Sequence, residues 1–94
     1  MVLERVEFTA KDGLAAELLA ALRSKSLPLL AAIPGCLAAR AGSGLENPGK
    51  IILLVDWVSL DAHEAFKKMP DYAALLTQIM PFTAGAAAEH FVMA

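Results

Sequence analysis

The sequence contains a single cysteine, Cys36, which excludes an intramolecular disulfide and a cysteine-based zinc site. The chain has eight lysine and arginine residues and ten acidic residues, and Lys67 and Lys68 are its only adjacent basic residues. We therefore expect no nucleic-acid partner. The chain has no apolar run of about 18 residues, the length that a membrane-spanning helix needs. Glu4 and Arg5 interrupt any secretory signal, and we therefore expect a cytoplasmic protein without a membrane partner.

Apolar side chains, by contrast, are abundant for so short a chain. Hydrophobic residues make up 57% of the 94 residues, and the mean hydropathy is +0.56. Soluble domains contain about 45 to 50% apolar residues, and a chain of this length supports one core. The sequence therefore predicts a single domain over residues 1–94. Its surplus apolar surface would be covered by another subunit or would surround an apolar pocket.

The first half of the chain predicts a strand followed by a long helix. Apolar and polar residues alternate over residues 2–9, which predicts a strand with Glu4 on its otherwise apolar face. A helical stripe of leucine and alanine follows, with Asp12 as its expected N-cap. Because proline lacks an N–H group, Pro28 is expected to kink this helix near Ser26.

The second half predicts three strands and two short helices. Residues 51–57 read Ile-Ile-Leu-Leu-Val-Asp-Trp without alternation, which predicts a strand buried on both faces. Ser59 is the expected N-cap of the next helix, which Pro70 ends, and Asp71 is expected to cap the helix after it. The remaining strands are predicted at residues 36–42 and 87–93. The order β-α-β-β-α-α-β predicts an α+β domain of the ferredoxin-like class, with an antiparallel four-stranded sheet.

Four segments of the chain have distinctive sequences. In order, they are Ile-Pro-Gly-Cys-Leu at 33–37, Asp-Trp-Val-Ser-Leu-Asp-Ala-His-Glu-Ala-Phe at 56–66, Met-Pro-Asp-Tyr at 69–72, and residues 81–91. Together they resemble the antibiotic biosynthesis monooxygenase family over essentially the whole chain. The resemblance implies a homodimer in which the sheets of two subunits face each other as a dimeric α/β barrel. It also implies a pocket for a small apolar or aromatic ligand between the sheet and the later helices.

The resemblance also implies an oxidative activity. Family members include cofactor-independent monooxygenases of aromatic polyketides or quinols, and haem-degrading enzymes that use an asparagine on the first strand with a tryptophan and a histidine on later helices. Here the only asparagine is Asn47 in a loop, Phe66 lies in the tryptophan region, and Leu75 and Leu76 lie where the histidine would be. The resemblance therefore favours a monooxygenase that needs no cofactor.

Oxygenation of a phenol or hydroquinone needs a base, a donor for the oxyanion and an apolar pocket. The candidate catalytic residues are His63, His90 and Tyr72, the histidines because their usual pKa of about 6.5 lies near neutrality. Each also fits a purely structural role. The two histidines lie on separate predicted elements without ligand spacing, so no metal site is predicted. The candidate substrate-binding residues are Trp57, Phe66 and Arg40, with Arg5 as an alternative anion donor.

Two other functions remain open from the sequence. A non-catalytic ligand-binding or dimerisation protein is the main alternative, because the chain carries no strict catalytic constellation. An isomerase on the same scaffold is another, because a fold does not determine a function. A cavity lined by His63 or Tyr72 with room for a ring system would favour the enzyme, whereas a cavity filled by Trp57 and Phe66 would favour the binding protein.

Overall fold

The computed structural model describes residues 1–94. Its elements are β1 (Val2–Ala10), α1 (Ala15–Ala21), a π-helical turn (Leu22–Ser26), α2 (Leu27–Ala31), β2 (Cys36–Ser43), β3 (Lys50–Trp57), α3 (Leu60–Lys67), α4 (Pro70–Ile79), a 3₁₀ turn (Met80–Phe82) and β4 (Thr83–Val92). The strands form one antiparallel sheet in the order β2-β3-β1-β4. The predicted ferredoxin-like α+β fold is confirmed. No helix has the length and apolar character needed to cross a membrane.

The sheet is buried on one face only, so the prediction that β3 is buried on both faces is wrong. Side chains of β3 alternate along the strand, because the helices pack against a single face. On that face β3 joins one hydrophobic core with Leu18 of α1 and Phe66 of α3. On the other face Ile52 and Leu54 stay partly exposed. The buried residues of β3 are Ile51, Leu53, Val55 and Trp57.

A π-helical turn interrupts the first helix where proline predicts a kink. The π-helical turn ends at Ser26, two residues before Pro28, and regular α-helix resumes in α2. A wider turn relieves the clash between the proline ring and the preceding carbonyl groups. The buried Ser26 hydroxyl lies 3.0 Å from Oε1 of Gln78 in α4, which ties this bend to the later helices. The predicted Asp12 cap is wrong, since Leu14 occupies the N-cap without a side-chain bond.

The start of α3 is held by a side-chain cap and by a close backbone approach. The backbone N–H of Ala62 donates to Oγ of Ser59 at 3.2 Å, which confirms the predicted N-cap. Gly35 approaches α3 so closely that a Cβ atom there would lie 2.6 Å from Cβ of Ala62, and its φ of +85° also favours glycine. These contacts fix the position of α3, the helix that carries His63.

The last two elements begin earlier than the sequence predicts. α4 begins at Pro70 after Met69 as N-cap, so Asp71 lies in its first turn and is not the cap. Proline is well suited to the first turn because it has no N–H group to leave unpaired. β4 begins at Thr83, before the predicted residue 87, and its first half is Thr-Ala-Gly-Ala-Ala. Pairing with β1 makes this alanine-rich segment a strand despite its weak intrinsic preference.

Candidate functional site

A cavity of about 210 Å³ lies between the sheet and the helices α3 and α4. Its walls are almost entirely apolar, since hydrophobic residues account for 12 of the 14 that line it. On β4 the wall is made by Ala86 and Ala88, which pair with Phe8 and Val6 of β1. The small alanine side chains leave open the space that larger residues would fill. The helices contribute Leu30, His63, Phe66, Tyr72, Leu75, Leu76 and Ile79.

The polar end of the cavity is a chain of three side chains from three elements. Glu4 of β1 and His90 of β4 are cross-strand partners, and His63 reaches them from α3. Oε2 of Glu4 lies 3.4 Å from Nε2 of His63, and Nδ1 of His63 lies 2.9 Å from Nε2 of His90. Glu4 and His63 line the cavity, whereas His90 is exposed. The three side chains therefore connect the buried cavity to the surface.

Trp57 supports this polar chain from the core. The indole N–H donates to Oε1 of Glu4 at 3.0 Å. The Trp57 ring also stacks on the His63 ring, with centroids 5.1 Å apart and an angle of 25° between the planes. A fully buried indole thus fixes both the carboxylate and the imidazole. Trp57 itself is not part of the cavity wall.

The electrostatic setting of His63 favours its neutral form. The residue is 5% exposed, and burial lowers the pKa of its imidazole because the charged form loses hydration. The nearby Glu4 carboxylate acts in the opposite direction, and His90 lowers the pKa further. A carboxylate can only accept, so the hydrogen of neutral His63 belongs on Nε2. Nδ1 of His63 then accepts a hydrogen bond from Nε2 of His90.

The structure brings together most, but not all, of the predicted site residues. His63, Phe66 and Tyr72 line the cavity, and the rings of Phe66 and Tyr72 meet edge to face with centroids 5.6 Å apart. Arg40 is exposed and pairs with Leu54 on the sheet face that points away from the cavity, so it does not contact this cavity. Arg5 lies on that same face, where it binds Glu89.

Two features of the site were missed from the sequence. The sequence indicates Glu4 only as a polar residue on an otherwise apolar strand face, and that position is the available signal for its role. The expected lack of ligand spacing between the histidines is wrong. The two histidines do lie on separate elements, but their imidazoles and the Glu4 carboxylate offer ligand atoms within 4.8 Å of one another.

Cys36 lies outside the cavity. Its thiol is half-buried and lines no part of the cavity. Burial raises the pKa of the thiol, and the nearby Asp56 and Glu4 carboxylates act in the same direction. Near neutral pH Cys36 is therefore a protonated thiol with little nucleophilic character.

Comparison with known proteins gives a consistent picture. Residues 1–78 match the family model described as antibiotic biosynthesis monooxygenase. No curated protein sequence matches the chain. Among solved structures assigned to this class, one from Bordetella bronchiseptica has a TM-score of 0.91 at 21% identity, covering 99% of this chain and 96% of that one. One from Nitrosomonas europaea has a TM-score of 0.84 at 14% identity, covering 99% and 98%. Because these sequence identities are low, the similarity to these two structures shows a shared fold.

Proposed function

Because the chain belongs to the antibiotic biosynthesis monooxygenase family, we propose that it is a cofactor-independent monooxygenase of small phenols or hydroquinones. The observation that carries this proposal is the apolar cavity closed at one end by Glu4 and His63. Such a cavity offers an aromatic ring apolar walls and offers its hydroxyl group one polar end. The His63–His90 contact connects this polar end to the surface.

The cavity suits one or two fused aromatic rings. A cavity of roughly 150 Å³ is enough to hold benzene in a protein core, and this one measures about 210 Å³. Its polar end carries the Glu4 carboxylate, and no lysine or arginine lines the wall. A substrate with a carboxylate or phosphate group would therefore meet like charge without a compensating cation. We expect neutral substrates.

The polar chain supplies the base that oxygenation needs. A phenol or hydroquinone transfers its proton to the Glu4 carboxylate, the acceptor in the cavity wall that the assigned histidine hydrogens leave free, with Nε2 of His63 at 3.4 Å from it. The resulting electron-rich anion gives one electron to oxygen, and the two radicals combine at a ring carbon. The peroxide anion takes the proton back from Glu4. The hydroperoxide then loses water as its O–O bond and the C–H bond of the same ring carbon break, which leaves a new carbonyl group. One oxygen atom enters the product, the other leaves as water, and the substrate supplies all the electrons.

Oxygen uptake with a panel of phenols and hydroquinones of one and two rings tests this function. We expect uptake without any added cofactor, and a new carbonyl oxygen that derives from ¹⁸O₂. Carboxylated analogues of the same ring size should react much more slowly. The matched control is the double variant His63→Ala, His90→Ala, which measures spontaneous oxidation. Saturable binding of a naphthol without uptake above this control would refute the enzyme and favour a non-catalytic ligand-binding protein.

We also infer that the protein is a homodimer whose two sheets face each other. The sheet face opposite the helices is covered by no element of its own chain, although it carries Ile52, Leu54 and Phe91. Charges on this face are largely paired within the chain, since Arg5 binds both Glu7 and Glu89. A second copy can therefore bury the apolar residues without isolating these charges. Obligate dimer interfaces have this core-like character.

Sedimentation velocity is expected to give about twice the subunit mass of 9.9 kDa at micromolar concentration. The variant Leu54→Lys places a third positive charge between its cross-strand partners Arg5 and Arg40 at the middle of the bare face, and it should shift the protein to monomer. Leu45→Glu, at an exposed loop position 92% accessible, is the control and should sediment as wild type. A monomeric wild-type chain would contradict the dimer.

A further inference from the structure

The two histidine rings face each other in a way that suits a metal ion as well as a proton. Nδ1 of His63 and Nε2 of His90 lie 2.9 Å apart with one hydrogen between them. When that hydrogen leaves, two nitrogen lone pairs remain next to each other. Zinc binds imidazole nitrogen at about 2.0 to 2.1 Å, so two nitrogens on a tetrahedral ion lie roughly 3.3 Å apart. A small outward movement of His90 provides this separation.

His90 is free to make that movement. It lies on β4, an edge strand that pairs only with β1, and its side chain is exposed. His63, by contrast, is fixed by burial and by the stacked Trp57 ring. One ligand is therefore rigid and the other adjustable, and the exposed side leaves room for water molecules to complete the coordination.

Glu4 determines which nitrogen of His63 is available to bind a metal ion. Oε2 of its carboxylate lies 3.4 Å from Nε2 of His63 and favours the ring hydrogen on that nitrogen, so the lone pair is on Nδ1, which faces His90. Metal-binding histidines commonly donate their other N–H to a carboxylate in this way, which fixes the ring and raises its basicity. The second oxygen of Glu4 is held by Trp57.

We propose that His63 and His90 form a binding site for a transition-metal ion of the zinc class, with Glu4 as its orienting carboxylate. Imidazole ligands suit Zn²⁺, Cu²⁺ and Ni²⁺, whereas Mg²⁺ and Ca²⁺ prefer oxygen ligands. The ion takes the place of the shared hydrogen, so it competes with protons and its charge lies beside the Glu4 base of the proposed oxygenase. It is thus an inhibitor of that activity and not its cofactor.

Isothermal titration of the metal-free protein with Zn²⁺ and Mg²⁺ tests the site. We expect uptake of one Zn²⁺ per chain and none of Mg²⁺. His90→Ala changes an exposed residue, so it should fold and should bind Zn²⁺ at least tenfold more weakly. Glu4→Gln should weaken binding by about 10- to 100-fold, because the amide N–H₂ moves the His63 hydrogen to Nδ1. Cys36→Ser removes the only thiol and should bind like wild type.

The proposal is overturned if the wild type shows no saturable Zn²⁺ uptake below about 1 mM, or if His90→Ala binds as tightly as wild type. Loss of binding in Cys36→Ser would also overturn it, by assigning the ion to the thiol. The absorption spectrum of the Co²⁺ form is a second measurement of the ligands, because an ion bound by imidazole nitrogens lacks the charge-transfer band of a thiolate. Titration needs no turnover, so failure of metal binding and failure of oxygen uptake are distinguished.

Discussion

Replacing His63 with alanine is expected to lower kcat/KM for oxygen uptake by roughly 100- to 10,000-fold, the usual contribution of a positioned proton-transfer group. The imidazole is the only one in the cavity wall and the only link between Glu4 and His90. Without it, a phenol bound at the polar end has no protonatable ring beside it. Initial rates of oxygen consumption over a range of substrate concentrations measure the effect.

Two controls separate this role from damage to the fold. Glu64→Ala changes the exposed neighbour of His63 on the same helix and should react at nearly the wild-type rate. Free imidazole added to His63→Ala should restore part of kcat, because the deletion leaves space where the ring was. A His63→Ala variant with at least half the wild-type rate would show that His63 takes no part in the proton transfer.

Replacing Trp57 with alanine is expected to lower the free energy of unfolding by about 3 to 5 kcal/mol, the usual cost of removing a large core aromatic residue. The indole is fully buried, and its ring packs on Phe66 as well as on His63. The substitution would also leave Oε1 of Glu4 without its hydrogen-bond donor, which adds to the cost. Urea unfolding followed by far-ultraviolet circular dichroism measures the change at fixed protein concentration.

Trp57→Phe and Leu45→Ala complete this series. Phenylalanine keeps most of the apolar contact but lacks the N–H donor. We therefore expect Trp57→Phe to lower the free energy of unfolding by less than Trp57→Ala does, and about 1 to 3 kcal/mol of its effect should come from the unpaired carboxylate. Leu45 is 92% exposed, and its truncation should change stability by less than about 0.5 kcal/mol. Equal stabilities of Trp57→Ala and the wild type would contradict the packing described for the indole.

Sequence patterns predicted the fold better than the site because the fold depends mainly on local periodicity. The strand predicted at residues 2–9 and the cap at Ser59 depend on neighbouring residues, and both are confirmed. The burial of β3 was misjudged because Ile52 and Leu54 are as apolar as the residues facing the helices. Nothing local to β3 indicates that no helix covers that face.

The site escaped prediction because its contacts join residues far apart in the chain. His63 and His90 are separated by 27 positions, and Trp57 and Glu4 by 53. Their meeting requires β1 to pair with β4 while the His63 side chain of α3 reaches both strands, which no local pattern encodes. His63, Phe66 and Tyr72 could be named as candidates from residue type and family resemblance. Arg40 was named on the same grounds but lies on the opposite face of the sheet.

The stacking of Trp57 on His63 also gives the protein an internal optical probe. Trp57 is the only tryptophan in the chain, so its fluorescence reports a single environment. Indole emission depends on the rings and charges in contact with it, and here those are His63, Phe66 and the Glu4 carboxylate. A ligand in the cavity or an ion between the histidines should therefore change the emission without any label. One fluorimeter titration can compare substrates, metals and variants on the same protein sample.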